Sequence, residues 1–369
     1  MAPFRWRDGE RLIVFGRGRV SEARDLIRGR YVLLSTPRAT PAAPGLPGGA
    51  SAVHDVPSGR VDEVAGQLRS AVEGETLVAL GGGRVIDVAK ALAAADPPRR
   101  VVAIPTTLSG AEMTPVHRHA AGVDPSTRGV RPSIVLNDPA LSASQPPSEL
   151  AQSAGNALGH AIEGPTTPLG NPVATLAALQ AARLIARGFA SADPGEGARD
   201  ALALGALLAG YAISSTGYGL HHVVSQTLAR FAGVGHGAAN AIMLPESVRA
   251  LRERAPAWYL EALAEALGFE PQEFASRLRE MTGVPRLRDA GVSEQQLERC
   301  AEEASRRPEL QLGDALVFEA PASPRSPCPP ATESSFARSN PLSPEKIFKK
   351  QLTLFYLKSS LEIGKILAP

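Results

Sequence analysis

The chain has 369 residues, room for two domains, with 44% apolar residues and a formal net charge of +2 at pH 7. So small a charge excludes the electrostatic footprint of a nucleic-acid or anionic-membrane binder, and the two cysteines, Cys300 and Cys328, exclude a disulfide framework or a cysteine-based zinc cluster. No apolar run reaches the ~18 residues of a membrane span and the N-terminus carries no long apolar leader, so the cytoplasm is the expected location.

The N-terminal half alternates strands with helical stretches. "RLIVFGRG" and "YVLLSTPR" are short apolar runs closed by Gly or Pro, as buried parallel strands are. "TLVALGGGRVIDVAKALAAA" predicts a strand over 76–80, a turn at Gly81, Gly82 and Gly83, and a helix over 85–94. "RVVAIPTT" and "PSIVLND" add strands, so an α/β domain with a mainly parallel sheet is expected over residues 1–145. A glycine turn that opens a helix lets main-chain N–H groups approach a phosphate, and it equally serves plain packing. Arg84 follows as a cation that either pairs with a pyrophosphate or is simply solvated. In "IPTTLSGAEMTP", Thr106, Thr107, Ser109 and Thr114 offer hydroxyls at the edge of the sheet where α/β proteins bind ligands, though turn chemistry also favours such residues.

From residue 146 the apolar spacing becomes helical, without an intervening strand pattern, and predicts an all-α domain over 146–310. "SAGNALGHAIEG" places His160 one helical turn after Asn156, and "GYGLHHVVSQTLARFAGVGHGAANAIMLP" carries His221, His222 and His236. A lone histidine is usually structural, whereas several on neighbouring segments favour convergence on one cleft. Residues 311–369 change texture: Lys90 is the only lysine before Lys346, and Lys349, Lys350, Lys358 and Lys365 follow a Pro/Ser-rich linker. Either a tail of separate origin or an ordinary C-terminal helix beginning near Ser343 accounts for it, and no catalytic role is expected there.

Taken in order, "VFGRG", "LLSTP", "GGGRVIDVAK", "IPTTLSGAEMTP", "DPALSASQPPSE", "GNALGHAIE", "GLHHVVSQ" and "GHGAANAIMLP" resemble the iron-containing alcohol dehydrogenase superfamily, most of all its maleylacetate reductase branch, over roughly residues 10–308. The resemblance implies a dinucleotide-binding α/β domain, a helical domain and an active site in the cleft between them. It also implies that Asn156 stands where metal-dependent members carry a liganding Asp, the other ligands matching His160, His222 and His236. The reductase branch has Asn there, which implies metal-independent reduction, while three histidines still leave iron or zinc open. Asp87 and "GHGAAN" are dehydrogenase-like; Arg84 replaces a Ser, Gln226 a histidine lining the nicotinamide side, and His117, Arg118 and His119 apolar residues. The family's last helices are not recognisable in the tail.

The expected function is therefore NAD(P)H-dependent reduction of the C=C bond of an unsaturated oxo-dicarboxylate to a 3-oxo acid. His222 is the expected acid or enolate stabiliser, aided by His160 and His236, with Asn156 orienting substrate or a ring and Arg118 a carboxylate partner. Gly81, Gly82, Gly83, Arg84, Asp87, Thr106, Thr107, Ser109 and Thr114 are the expected cofactor residues. Arg38 in "STPRAT" favours a 2′-phosphate, so NADPH should serve at least as well as NADH. A metal-dependent alcohol dehydrogenase or aldehyde reductase is the alternative, and a recruited member without hydride transfer the third. A homodimer is the expected assembly.

Overall fold

The computed structural model describes residues 1–190, 195–252 and 255–311, so the linker and the Lys-rich tail, with the helix start near Ser343, lie outside the described residues. Seven strands form one sheet: β1 (Phe4–Asp8), β2 (Arg11–Phe15), β3 (Val32–Ser35), β4 (Ala52–Asp55), β5 (Thr76–Gly81), β6 (Arg100–Pro105) and β7 (Ile134–Asn137), ordered β1-β2-β7-β6-β5-β3-β4. Every pairing is parallel except the β1–β2 hairpin at one edge. The interior strand β5 is buried throughout, which is why its sequence is an uninterrupted apolar run. Helices α1 (Ala23–Ile27), α2 (Val61–Leu68) and α3 (Gly83–Ala95) accompany the sheet. One face packs Leu77, Ala79, Val101 and Ala103 against α2 and α3; the other packs Val78, Leu80, Val102 and Ile104 against α1.

Beyond β7 the described chain is helical: α4 (Pro147–Glu163), α5 (Pro172–Gly188), α6 (Glu196–Thr216), α7 (Leu220–Phe231), α8 (His236–Leu251), α9 (Ala257–Leu267), α10 (Pro271–Met281), α11 (Glu294–Ser305) and α12 (Pro308–Gln311). Ala-rich faces let α4, α5 and α6 pack closely, with Ala154, Ala157, Ala178, Ala181, Ala206 and Ala209 all within 1% of full burial. That core runs on without a break into Ile13, Phe15 and Val135 of the sheet, so strands and helices share one apolar interior. Among the described residues no single helix is long and apolar enough to cross a membrane.

The connection between β6 and β7 is what joins the two layers. The Lys90 ammonium on α3, fully buried, donates to the carbonyls of Ala111 (2.9 Å), Thr114 (3.2 Å) and Val116 (2.7 Å) and pairs with Asp87 at 2.7 Å. Gly110 sits at φ +70°, and a Cβ there would stand 3.2 Å from the Gly210 Cα of α6 and 3.3 Å from His160 Nδ1. Glycine on both sides lets loop and helix meet backbone to backbone.

Candidate active site

One wall of the cleft is the turn from β5 into α3. Gly82 opens the helix, its carbonyl accepting from Val85 N (3.0 Å) and Ile86 N (3.2 Å), and no side chain caps the helix start. The N–H groups of the first turn are thus left for an anion, with the positive end of the helix dipole behind them. The glycines also have a packing reason: a Cβ on Gly82 would lie 2.9 Å from Thr107 Cγ2, and one on Gly83 3.0 Å from Ser109. Thr107 and Ser109 are half-buried beside the turn, and Arg84 lies partly exposed on it. Thr106 and Thr114 are buried, Thr114 with its side chain on the Tyr218 hydroxyl. These residues fit a nucleotide pyrophosphate: Gly82, Gly83 and Arg84 would supply main-chain donors, with Thr107 and Ser109 beside them.

Arg38 is placed differently from expectation. It forms an exposed ion pair with Glu149 at the start of α4, with contacts of 2.7 and 3.0 Å. The Arg38 charge therefore already has a partner. Asp87 turns back toward Lys90 while remaining close enough to act electrostatically on His236 across the cleft.

The other wall rises from α4. Asn156, His160 and Glu163 fall on successive turns of one face. The Asn156 amide is 5% exposed and donates to the Ser109 carbonyl at 2.9 Å, tying α4 to the loop after β6. A carboxylate could not donate that bond. Its Oδ1 is buried and, among the described residues, without a partner.

Glu163, which sequence reasoning passed over, organises the start of α7. Its Oε1 accepts from Gly219 N at 2.7 Å and its Oε2 from His222 N at 3.2 Å. The same Oε1 lies 3.0 Å from His222 Nδ1. Because Oε1 is already an acceptor, Nδ1 carries the ring proton and Nε2 presents a bare lone pair. That Nε2 is buried and, among the described residues, unpartnered. Burial pushes the His222 pKa down to about 3, helped by the neighbouring His236, and burial likewise pushes Glu163 up. With its proton turned toward Glu163, a neutral His222 ring presents an acceptor to the cleft.

His236 has the opposite tautomer logic. The Asn240 amide nitrogen donates to the His236 carbonyl at 2.8 Å, which fixes the orientation of the amide, and the same nitrogen lies 3.2 Å from His236 Nε2. Nε2 therefore accepts, and Nδ1–H is the donor on a ring exposed at the cleft. His160 stacks on His222 with ring centroids 4.5 Å apart and planes 18° apart, and Tyr218 stacks on His222 at 4.9 Å. His221 passes behind, its Nδ1 2.8 Å from Ser247 Oγ, where only Gly159 leaves it room: a Cβ there would stand 2.3 Å from its Nε2.

A divalent cation needs ligands that converge on one point. Among the described residues no three His, Cys, Asp or Glu side chains are grouped to hold one. The near-parallel stack explains why: an ion in the plane of the His160 ring lies out of the plane of His222, and ring lone pairs point only in plane. Asn156 brings no charge to offset a divalent cation.

His117 is structural, contacting the Arg118 carbonyl through Nδ1 at 3.0 Å and accepting from Val130 N at 3.3 Å, with His119 packed edge-on at 5.1 Å. Gln226 is half-buried and accepts from Arg307 at 3.3 Å.

Comparison with known proteins agrees with this geometry. The signature described as iron-containing alcohol dehydrogenase matches residues 49–139, and that of the C-terminal part of the Fe-containing alcohol dehydrogenase family matches residues 150–315. Maleylacetate reductase 1 of Rhodococcus opacus is 30% identical over 318 residues, covering 80% of this chain and 88% of its own. Maleylacetate reductase 2 of Cupriavidus pinatubonensis is 38% identical over 226 residues, covering 59% and 61%. The crystal structure of maleylacetate reductase from Agrobacterium tumefaciens superposes with a TM-score of 0.75 at 25% identity, covering 96% of this chain and 98% of that one. With its glycine turn, its shared core and its amide-bearing histidine wall, the chain belongs to the iron-containing alcohol dehydrogenase family, on the maleylacetate reductase branch.

Proposed function

We propose that this NAD(P)H-dependent oxidoreductase acts in the cytoplasm and without a metal, reducing the C=C bond of an unsaturated oxo-dicarboxylate of the maleylacetate type to a saturated 3-oxo acid. The observation that carries the reading is Asn156: where a metal site needs a carboxylate, its amide is committed to the Ser109 carbonyl. A nicotinamide cofactor held by Gly82, Gly83, Arg84, Thr107 and Ser109 would supply the hydride for the alkene carbon β to the ketone. Negative charge then gathers on the ketone oxygen, where the His236 Nδ1–H is the donor that meets it. His160, whose Nδ1 has no partner, and His222, held by Glu163, shape the pocket around the reacting carbons. Tyr218, kept protonated because burial raises its pKa, stands over His222 as the hydroxyl that passes a proton to the α-carbon. Neutral rings suit the task, since a buried imidazolium would cost more than it returned.

The test is NAD(P)H oxidation with maleylacetate before and after exhaustive EDTA treatment. Undiminished turnover is expected after chelation. Turnover abolished by EDTA and restored by iron or zinc would return the histidines to a metal and refute the reading.

A further inference from the structure

Helix α4 meets the sheet layer through two side chains on one of its faces. Glu149 and Asn156 stand two turns apart on the same stripe of the helix. Asn156 donates to the Ser109 carbonyl, in the loop that follows β6, at 2.9 Å. Glu149 takes Arg38, just beyond the end of β3, at 2.7 and 3.0 Å. Strands β3 and β6 are the two neighbours of β5 in the sheet, and both run parallel to it. The two contacts therefore stand at the C-terminal edge of the sheet, on either side of β5. Their spacing agrees, since two turns of helix advance ~10.5 Å and two strand steps span about 9.6 Å. Helix α4 thus crosses the end of β5, and the glycine turn lies between its two attachments.

That crossing assigns the two ends of a dinucleotide. In parallel α/β sheets the pyrophosphate lies on the glycine turn and the adenosine ribose reaches the end of a neighbouring strand. The β6 side leads to Ser109, Asn156 and the histidine wall, where the reacting end of the cofactor belongs. The β3 side, where Arg38 stands, is left for the ribose. Arg38 is held on a fixed turn: the Thr36 carbonyl and hydroxyl both accept from Ala39 N, at 3.0 and 3.2 Å, and Pro37 stiffens the chain between them. A guanidinium in this place is the group that a 2′-phosphate would seek, and Glu149 already sits on it.

We infer that Glu149 sets cofactor choice: by occupying Arg38 it makes a 2′-phosphate displace a carboxylate, and so biases the enzyme toward NADH. This reverses the preference expected from Arg38 alone, and it holds whichever acceptor the enzyme reduces. Carboxylate and phosphate compete for one guanidinium, and two anions a few ångströms apart repel each other. Because the ion pair is exposed, the bias is modest in size.

The experiment is fluorescence titration of NADH and NADPH into the full chain without substrate, for wild type, Glu149→Gln, Arg38→Gln and the double variant. Wild type should bind NADH the more tightly. Glu149→Gln should tighten NADPH by roughly 3- to 30-fold, for a freed exposed ion pair and a lifted repulsion, and should move NADH by less than about twofold. Arg38→Gln and the double variant should show no such gain, because the gain runs through the Arg38 guanidinium. Displacement by 2′,5′-ADP should follow NADPH across the four proteins, and displacement by 5′-AMP should follow NADH. An unchanged ratio of the two dissociation constants in Glu149→Gln would overturn the inference. So would a gain that persists in the double variant, a gain shared equally by NADH, or a wild type that prefers NADPH or binds neither cofactor.

Discussion

Replacing Asn156 by Asp tests the central contact of the site with the smallest possible change of shape. The side chain is 5% exposed, and its Nδ2 donates to the Ser109 carbonyl at 2.9 Å. Asn156→Asp removes the donor and sets a carboxylate oxygen against a carbonyl oxygen. A buried acceptor left unsatisfied costs about 1–3 kcal/mol, and like-oxygen repulsion pushes toward the upper end. At roughly 2–4 °C per kcal/mol for a protein of this size, the melting temperature should fall by about 2–12 °C at neutral pH. Since the amide ties down the loop beside the glycine turn, the cofactor KM should rise with it. Burial raises the pKa of the new carboxyl, and once protonated its O–H can donate to Ser109, so the deficit should shrink on acidification. Thermal melts from pH 5 to 8 with cofactor titrations check this. An Asp variant as stable as wild type at neutral pH would refute the reasoning, and so would one that zinc stabilises strongly, since that would mean the stacked rings do converge on an ion.

Glu112 is 1% exposed, with both carboxylate oxygens unpartnered, and burial raises its pKa from 4.5 to about 7. The folded state therefore holds a proton that the unfolded chain releases first, so stability falls as pH rises through that window, by about 3 kcal/mol in all, and stays low above it. Glu112→Gln should erase this slope and be the more stable protein at neutral pH; urea titrations at stepped pH giving parallel curves would sink the idea. Acid loss from the buried neutral rings of His221 and His222 is common to both proteins and cancels in the comparison. Gly110→Ala should cost about 1–3 kcal/mol and lower kcat, because its Cβ presses on Gly210 and on the His160 ring. Gly122→Ala, at φ +82° with open space around it, should show the backbone cost alone, and equal losses at the two positions would contradict the packing argument.

The strands legible in the sequence were those buried on both faces, such as β5 and β7, where apolar residues run without interruption. The edge strands β1 and β4 left no such signal, because each alternates between half-buried and exposed positions. Asn156, His160, His222 and His236 were readable because their residue types and spacing carry chemistry. The groups that decide how those side chains act were not. Glu163 meets His222 across 59 residues of chain, Lys90 reaches its carbonyls across more than a turn of loop, and Glu149 finds Arg38 across 111 residues. Such partners are set by tertiary packing, and a local pattern holds no trace of them. Nor could the pattern tell which ring nitrogen bears the proton, on which the roles of His222 and His236 turn.

The contact of Gly110 with Gly210 has a mechanical consequence. Side chains yield by changing rotamer, but two main chains in contact have nothing to yield, so this point fixes the distance between the sheet layer and the helical layer. Any narrowing of the cleft must rotate about it, like jaws about a rivet, and displacement grows with distance from the rivet. The His160 ring, which lies beside Gly110, stays nearly still. The reacting centre is thereby held at constant geometry, and any closing motion falls on the parts of the cleft farther from this contact.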